Sequence, residues 1–150
     1  MGEAEIRLIR FEERDALIDL YAHLHERDEP LARDEDLEQL WEGMMGNPDY
    51  YFVVASEEGR LVSACFLIVI HNLTRGARPY AVIENVVTHR VYRRKGYGKG
   101  VLTKALDLAE KRGCYKAMLM TGSKRPEVHA FYEDAGFRGG LKTAFIAKME

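Results

Sequence analysis

The chain has 150 residues, 47% hydrophobic and 31% charged, with a net charge of −2, a composition that suits one globular domain able to build its core without staples. No apolar run approaches the roughly 18 to 20 residues of a membrane span, and Met1-Gly2-Glu3-Ala4-Glu5 lacks the basic start and apolar core of a signal peptide. A cytoplasmic chain without a membrane partner is therefore expected, and a pI near 6.2 argues against a nucleic-acid partner.

The small net charge hides a division. The first fifty residues hold 15 acidic against 5 basic side chains and the remaining hundred hold 9 against 17, so the first part suits a cationic partner and the second an anionic one. Solvated helix faces would account equally well for the acidic half.

In chain order, Ile6-Arg7-Leu8-Ile9-Arg10 reads as a short strand. Over 12–27, Ala16, Leu17, Leu20, Tyr21 and Leu24 recur at helical spacing, and Asp28-Glu29-Pro30 ends the pattern. A second helix is predicted over 34–45, with Leu37, Leu40, Trp41 and Met44 on one stripe, stopped by Gly46-Asn47-Pro48-Asp49. Strands rich in β-branched and aromatic residues follow over 51–56 and 61–71, joined as a hairpin through Glu57-Glu58-Gly59-Arg60. After a loop over 72–79 comes an apolar strand over 80–88. The next helix, over 98–112, buries Val101, Leu102, Ala105, Leu106 and Ala109 and stops at Gly113. A strand over 116–121, a helix over 126–135 opened by Pro126 and closed by Gly136, and a final strand over 141–149 complete the pattern. Without a repeat or linker, residues 1–150 are expected to form one domain.

Between the strand over 80–88 and the helix over 98–112 lies Tyr92-Arg93-Arg94-Lys95-Gly96-Tyr97-Gly98-Lys99-Gly100. Helix N-termini present unpaired N–H groups and the positive end of the dipole, and glycines let a phosphate approach the backbone. The spacing matches neither the dinucleotide fingerprint nor the P-loop. By itself the stretch reads either as an anion site or as a solvated basic turn.

Two further residues invite chemistry. Glu84 stands in Val82-Ile83-Glu84-Asn85-Val86-Val87, where apolar neighbours would desolvate a carboxylate and raise its pKa unless it is paired. Tyr132 shares a helix face with Val128 and Ala135, which suits either a core aromatic or a phenol that can give up a proton. Cys65 and Cys114 read as idle thiols. His23, His25, His71, His89 and His129 show no metal-ligand spacing, so no metal is expected.

Arg93-x-x-Gly96-x-Gly98 after a strand resembles the cofactor signature of the GCN5-related N-acetyltransferases, the GNAT superfamily. Ala130-Phe131-Tyr132-Glu133-Asp134-Ala135-Gly136-Phe137 is similar to that superfamily's second signature. The resemblance covers 82–137 and implies an α/β GNAT fold: a mixed, twisted sheet of about six to seven strands flanked by four helices, its fourth and fifth strands splayed around acetyl-CoA as acetyl donor. It further implies that Val86, Val87 and Thr88 pair with the pantetheine arm and that Arg93, Arg94, Lys95, Gly96, Tyr97, Gly98 and Lys99 wrap the pyrophosphate. Glu84 becomes the base, acting through water, and Tyr132 the acid to the leaving thiolate. Where many members carry an asparagine that contacts the cofactor, this chain has Ser123-Lys124-Arg125-Pro126, so Ser123 or Arg125 is expected to serve.

Ile83-Glu84-Asn85-Val86-Val87 and Gly113-Cys114-Tyr115-Lys116 resemble stretches of glucosamine-6-phosphate N-acetyltransferases, although those usually carry aspartate where Asn85 stands. The acceptor is left open among an amino sugar, a polyamine, an amino acid, an antibiotic and a protein lysine. The alternatives to catalysis are an acyl-CoA sensor of the same fold and a phosphate- or RNA-binding module built on Arg90, Arg93, Arg94, Lys95 and Lys99. A strand edge over 143–149 could support a homodimer.

Overall fold

The computed structural model describes residues 4–25 and 27–149. The chain divides between Leu119 and Met120 into two compact units. The first contains β1 (Ala4–Leu8), α1 (Arg14–Tyr21), α2 (Glu35–Met45), β2 (Tyr50–Glu57), β3 (Arg60–Ile70), β4 (Tyr80–Thr88), α3 (Tyr97–Lys111) and β5 (Ala117–Leu119); the second contains α4 (Pro126–Asp134). Short 3-10 turns cover Phe11–Glu13, Arg75–Ala77 and Arg90–Tyr92.

The sheet runs β1-β2-β3-β4-β5. Its first four strands are antiparallel, and β5 lies parallel to β4 through Ala81↔Ala117, Val82↔Met118 and Ile83↔Leu119. Alternation along the strands sorts the core into two layers. Phe52, Val54, Ala64, Phe66 and Val87 pack with Leu17 and Leu20 of α1 and Trp41 of α2. On the opposite face the Cys65 thiol meets the Val101 carbonyl of α3 at 3.6 Å, and Val53, Leu67, Ile83, Val101 and Leu102 are fully buried.

Most elements fall within a residue or two of the spans read from the sequence. The sheet is a correction: it has five strands among the described residues, not six or seven. The stretch 141–149 forms neither helix nor strand and leaves Leu141, Phe145, Ile146 and Met149 exposed. Its β-branched and aromatic content was real, but a strand exists only with a ladder partner, and no described strand pairs with it. The helix expected over 12–27 is also shorter, a 3-10 turn and then α1 to Tyr21, with position 26 outside the described residues. Its last turns tighten into bonds such as His23 N–H to Leu20 O and Leu24 N–H to Tyr21 O, at 3.0 and 2.9 Å. Leu24 still reaches the core, so the apolar spacing outlasts the helix.

The sheet's edge is tied to α1 by one ion pair. Arg7 of β1 makes two parallel bonds to Glu13, at 2.7 and 2.9 Å, and Glu13 also accepts the Arg10 N–H at 2.8 Å. Both side chains are only 14% exposed. The Arg7 guanidinium, helped by the Arg10 N–H, holds the Glu13 carboxyl below the usual carboxylate range against the opposing effect of burial. Glu13→Gln should destabilise the protein by about 1–3 kcal/mol at neutral pH. Because the folded pKa is depressed, that contribution is complete above the unfolded value of about 4.3 and is lost as pH falls through the folded one. Urea unfolding of both proteins should therefore show their stabilities converging in acid; a constant gap would exclude Glu13 as the titrating group.

Candidate active site

The most consequential irregularity lies in β4. Register with β3 runs Phe66↔Glu84 and then Ala64↔Val87, so β4 carries one extra residue across this interval. Asn85 takes the excess at φ 52°, in the left-handed region that asparagine tolerates better than most residues. At the same place β5 ends: its last pair is Ile83↔Leu119. From Glu84 to Thr88 the outer edge of β4 has no ladder partner among the described residues, although two of its carbonyls are engaged by side chains, Val87 O by Ser63 Oγ at 2.9 Å and Thr88 O by Arg93 Nε at 3.1 Å. Val86 and Thr88 are half-buried there and Val87 is buried.

Glu84 does not meet the expectation of burial. It is exposed, although Phe66 stands opposite it. Alternation puts Tyr80, Val82 and Glu84 on one face of β4, the face that carries Phe66, Ile68 and Ile70 on β3. Tyr21 at the end of α1 lies near enough to the Asn85 side chain to feel it, and burial pushes its phenol up to about 12 against the lowering effect of that amide.

The basic loop follows directly. Gly96 caps α3 at φ 87°, with no side chain occupying the cap and no acidic residue in the first turn. Such a helix start leaves its N–H groups and dipole available to an anion. Gly98 is buried, whereas Arg94, Lys95, Gly96 and Lys99 are exposed and Tyr97 is half-buried. Lys95 lies over the Tyr92 ring at 5.4 Å. Arg93 differs from the other cations: its Nε donates to Thr88 O at 3.1 Å and its Nη2 to His23 O at 3.4 Å.

The remaining expected residues belong to the second unit. Ser123 Oγ accepts the Arg125 N–H at 3.3 Å, and Ser123 O meets His129 Nε2 at 2.6 Å, which shapes the turn into α4. Arg125 pairs with Glu127 at 3.4 Å. Tyr132 is half-buried against Phe131 and Phe137, with ring centroids 5.0 and 6.3 Å away.

A cluster the sequence reading did not single out lies at the start of β4. Lys116 Nζ sits 5.3 Å from the centroids of both Tyr80 and Tyr115, and Arg75 lies over Tyr115 at 5.9 Å. Arg78 donates to the Gly113 and Cys114 carbonyls. Arg75, Gly76 and Ala77 all have positive φ, a turn that holds two non-glycine residues in a costly conformation. Among the described residues no carboxylate pairs with Arg75, Arg78 or Lys116. The signal available was Arg75, Arg78 and Lys116 near two tyrosines, scattered over forty residues of sequence.

The Acetyltransferase (GNAT) family model matches residues 14–137. The chain belongs to this family. A glucosamine 6-phosphate N-acetyltransferase of Trypanosoma brucei brucei is 36% identical over 80 residues, 53% of this chain and 52% of that protein. The chain thus spans about half the length of this relative and of a probable glucosamine 6-phosphate N-acetyltransferase of Oryza sativa subsp. japonica. A solved structure from Agrobacterium tumefaciens str. C58, assigned as an acetyltransferase, superposes with a TM-score of 0.91 at 39% identity, over 97% of this chain and 99% of that one. Glucosamine-6-phosphate N-acetyltransferase of Arabidopsis thaliana shares the fold with a TM-score of 0.85 at 24% identity, over 98% of both chains. Within the family fold, the bulge at Asn85 coincides with the point where β4 and β5 part.

Asn85→Val should cost about 1–3 kcal/mol, because a β-branched residue resists φ > 0. Asn85→Gly should stay within about 1 kcal/mol of wild type. Equal losses in urea unfolding would show that side-chain contacts, not backbone conformation, hold this position.

Proposed function

We propose that the protein is an acetyl-CoA-dependent N-acetyltransferase acting on a small amine that carries an anionic group. The observation that carries the reading is the edge of β4 from Glu84 to Thr88, without a ladder partner among the described residues, followed after one 3-10 turn by a glycine-capped helix with no acid in its first turn. Acetyl-CoA supplies an activated acetyl thioester. Val86, Val87 and Thr88 hold its extended arm by backbone pairing. Arg94, Lys95 and Lys99, with the N–H groups beginning at Gly96, hold its phosphates.

Glu84, exposed beside that edge, takes the proton from the attacking ammonium through a water, leaving a neutral nitrogen to attack. Tyr132 gives its phenolic proton to the departing sulfur, an assignment that rests on the family signature around it. The carbonyl carbon gains a bond to nitrogen and loses its bond to sulfur, and the second proton that the nitrogen sheds on becoming an amide passes through water to restore the Tyr132 phenol. The products are an amide and a free thiol.

The face shared by Tyr80, Val82 and Glu84 supports the acceptor class. Four residues of strand put the Tyr80–Lys116–Arg75 cluster about 13 Å from Glu84, so a molecule with an amine at one end and a phosphate or carboxylate at the other can address both. The Trypanosoma relative is named for an amino-sugar phosphate of this kind. Glucosamine 6-phosphate is accordingly the first acceptor to test.

Acetyl-CoA and CoA, at about a hundred times their dissociation constants, should each add roughly 2.7 kcal/mol to stability and raise the melting temperature by several degrees; ATP and NAD should not. With an acceptor present, thiol release should follow. Glu84→Gln should lower turnover by about 10²- to 10⁴-fold and flatten its rise with pH. Tyr132→Phe should be slower at saturating donor, and Lys116→Ala should raise acceptor KM with little change in donor KM. A melting shift without thiol release from any amine would favour the acyl-CoA sensor. No shift with either CoA species would overturn the donor site.

A further inference from the structure

Two histidines that the proposed chemistry does not use stack at the junction of α1 and the loop after β4. The rings of His23 and His89 lie 4.0 Å apart at 38°. His89 is fixed to β3 by its N–H, which donates to Val62 O at 2.8 Å. Its Nδ1 accepts the Val91 N–H at 3.2 Å and so caps the turn Arg90–Tyr92. Tyr92 closes on the same ring edge-on at 5.3 Å. One residue past that turn, Arg93 reaches back to Thr88 O and His23 O. The end of α1, the end of β4 and the start of the basic loop are therefore held by one small cluster.

Its geometry depends on uncharged imidazoles. A proton added at His89 Nδ1 removes the lone pair that accepts the Val91 N–H. A charge on each ring would place two cations 4.0 Å apart. His23 Nδ1 is buried without a hydrogen-bond partner, and burial, with further contributions from His89, Arg90, Arg93 and Arg60, lowers the His23 pKa. A cavity of about 410 Å³ opens beside the pair, bordered by Asp19 of α1, by Glu58 and Arg60 of the β2–β3 turn, and by both histidines. Of the two carboxylates, Asp19 is already paired with Arg33 at 2.5 Å. Facing the pair are thus Arg60, Arg90 and Arg93 against Glu58 and a committed Asp19.

We infer that His23 and His89 are positioning residues that latch the basic loop of 93–99 to the end of α1, and that protonating the pair releases it. The inference rests on the reading of that loop as the site for the donor's phosphates. Mildly acidic solution, with pH falling through the histidine range, should then weaken donor binding before the fold is lost.

The test compares wild type with His89→Asn, whose side-chain oxygen can still accept the Val91 N–H but does not titrate in this range. CoA affinity is measured by calorimetry at about pH 7.5 and pH 5.5, and amide exchange of residues 89–93 is followed in the ligand-free protein at both, corrected for intrinsic rates. Wild-type affinity should fall about tenfold more than that of the variant, the effect of one pKa unit of differential interaction. The phosphates of CoA titrate alike with both proteins and cancel. Exchange at 91–93 should accelerate in wild type alone. If His89→Asn does not fold, His23→Phe keeps a ring over His89 and removes one titrating group.

Equal pH ratios for the two proteins with unchanged exchange would overturn the latch. Accelerated exchange with equal affinity ratios would overturn its role in donor binding. If CoA binds at neither pH, the donor reading fails and the exchange measurement alone decides whether the histidines hold the loop.

Discussion

The site depends on one unequal strand pairing. Between Glu84 and Val87, β4 has more backbone than β3 can pair, and just there β5 stops. A regular β4 would have carried its alternation through to Thr88 and offered β5 a continuous edge. The bulge keeps the strand anchored to β3 on one side, while on the other no described strand pairs with it beyond Ile83 and the Thr88 carbonyl accepts from Arg93 instead. Unpaired strand backbone is costly in a protein core and attracts other chains at an edge; beside the glycine-capped start of α3 it is the edge on which the proposed donor site is built.

Asn85 is the residue that makes the bulge affordable. Left-handed backbone is comfortable for glycine and tolerable for asparagine, and glycine would leave no side chain to meet Tyr21. Choosing an amide over a carboxylate also matters electrically. An aspartate next to Glu84 would set two anions side by side, and each would resist the other's ionisation. With Asn85 there, Glu84 is the only carboxylate in the stretch from Tyr80 to Thr88.

How far this was legible in the sequence depended on the range of the signal. The strand 80–88, the glycine-capped α3 and the proline-opened α4 are written in neighbouring residues, and they lie where those residues say. The bulge is not, because it is a mismatch between two strands and neither β3 nor β4 shows it alone. The same holds for the exposure of Glu84: its sequence neighbours are apolar, yet burial is set by what covers the strand. Lys116 meets Tyr80 across a parallel pair, and His23 meets His89 across 66 positions, so neither contact has a local pattern. The final strand failed in the opposite direction, with convincing local composition and no partner among the described strands.

Arg93 shows why family signatures locate a site more reliably than they assign its atoms. It occupies the first position of the motif that in this family surrounds a pyrophosphate, and its neighbours Arg94 and Lys95 are exposed in the way that role requires. Its own Nε and Nη2, however, are spent on the carbonyls of Thr88 and His23, the last residue of β4 and the turn after α1. A guanidinium has five N–H donors in a planar fork, so the Nη1 donors remain for an anion while the rest brace the loop. One side chain can thus set the loop's position and share in its charge. Those bonds tie the basic loop to the turn after α1, the same turn whose His23 ring stacks on His89.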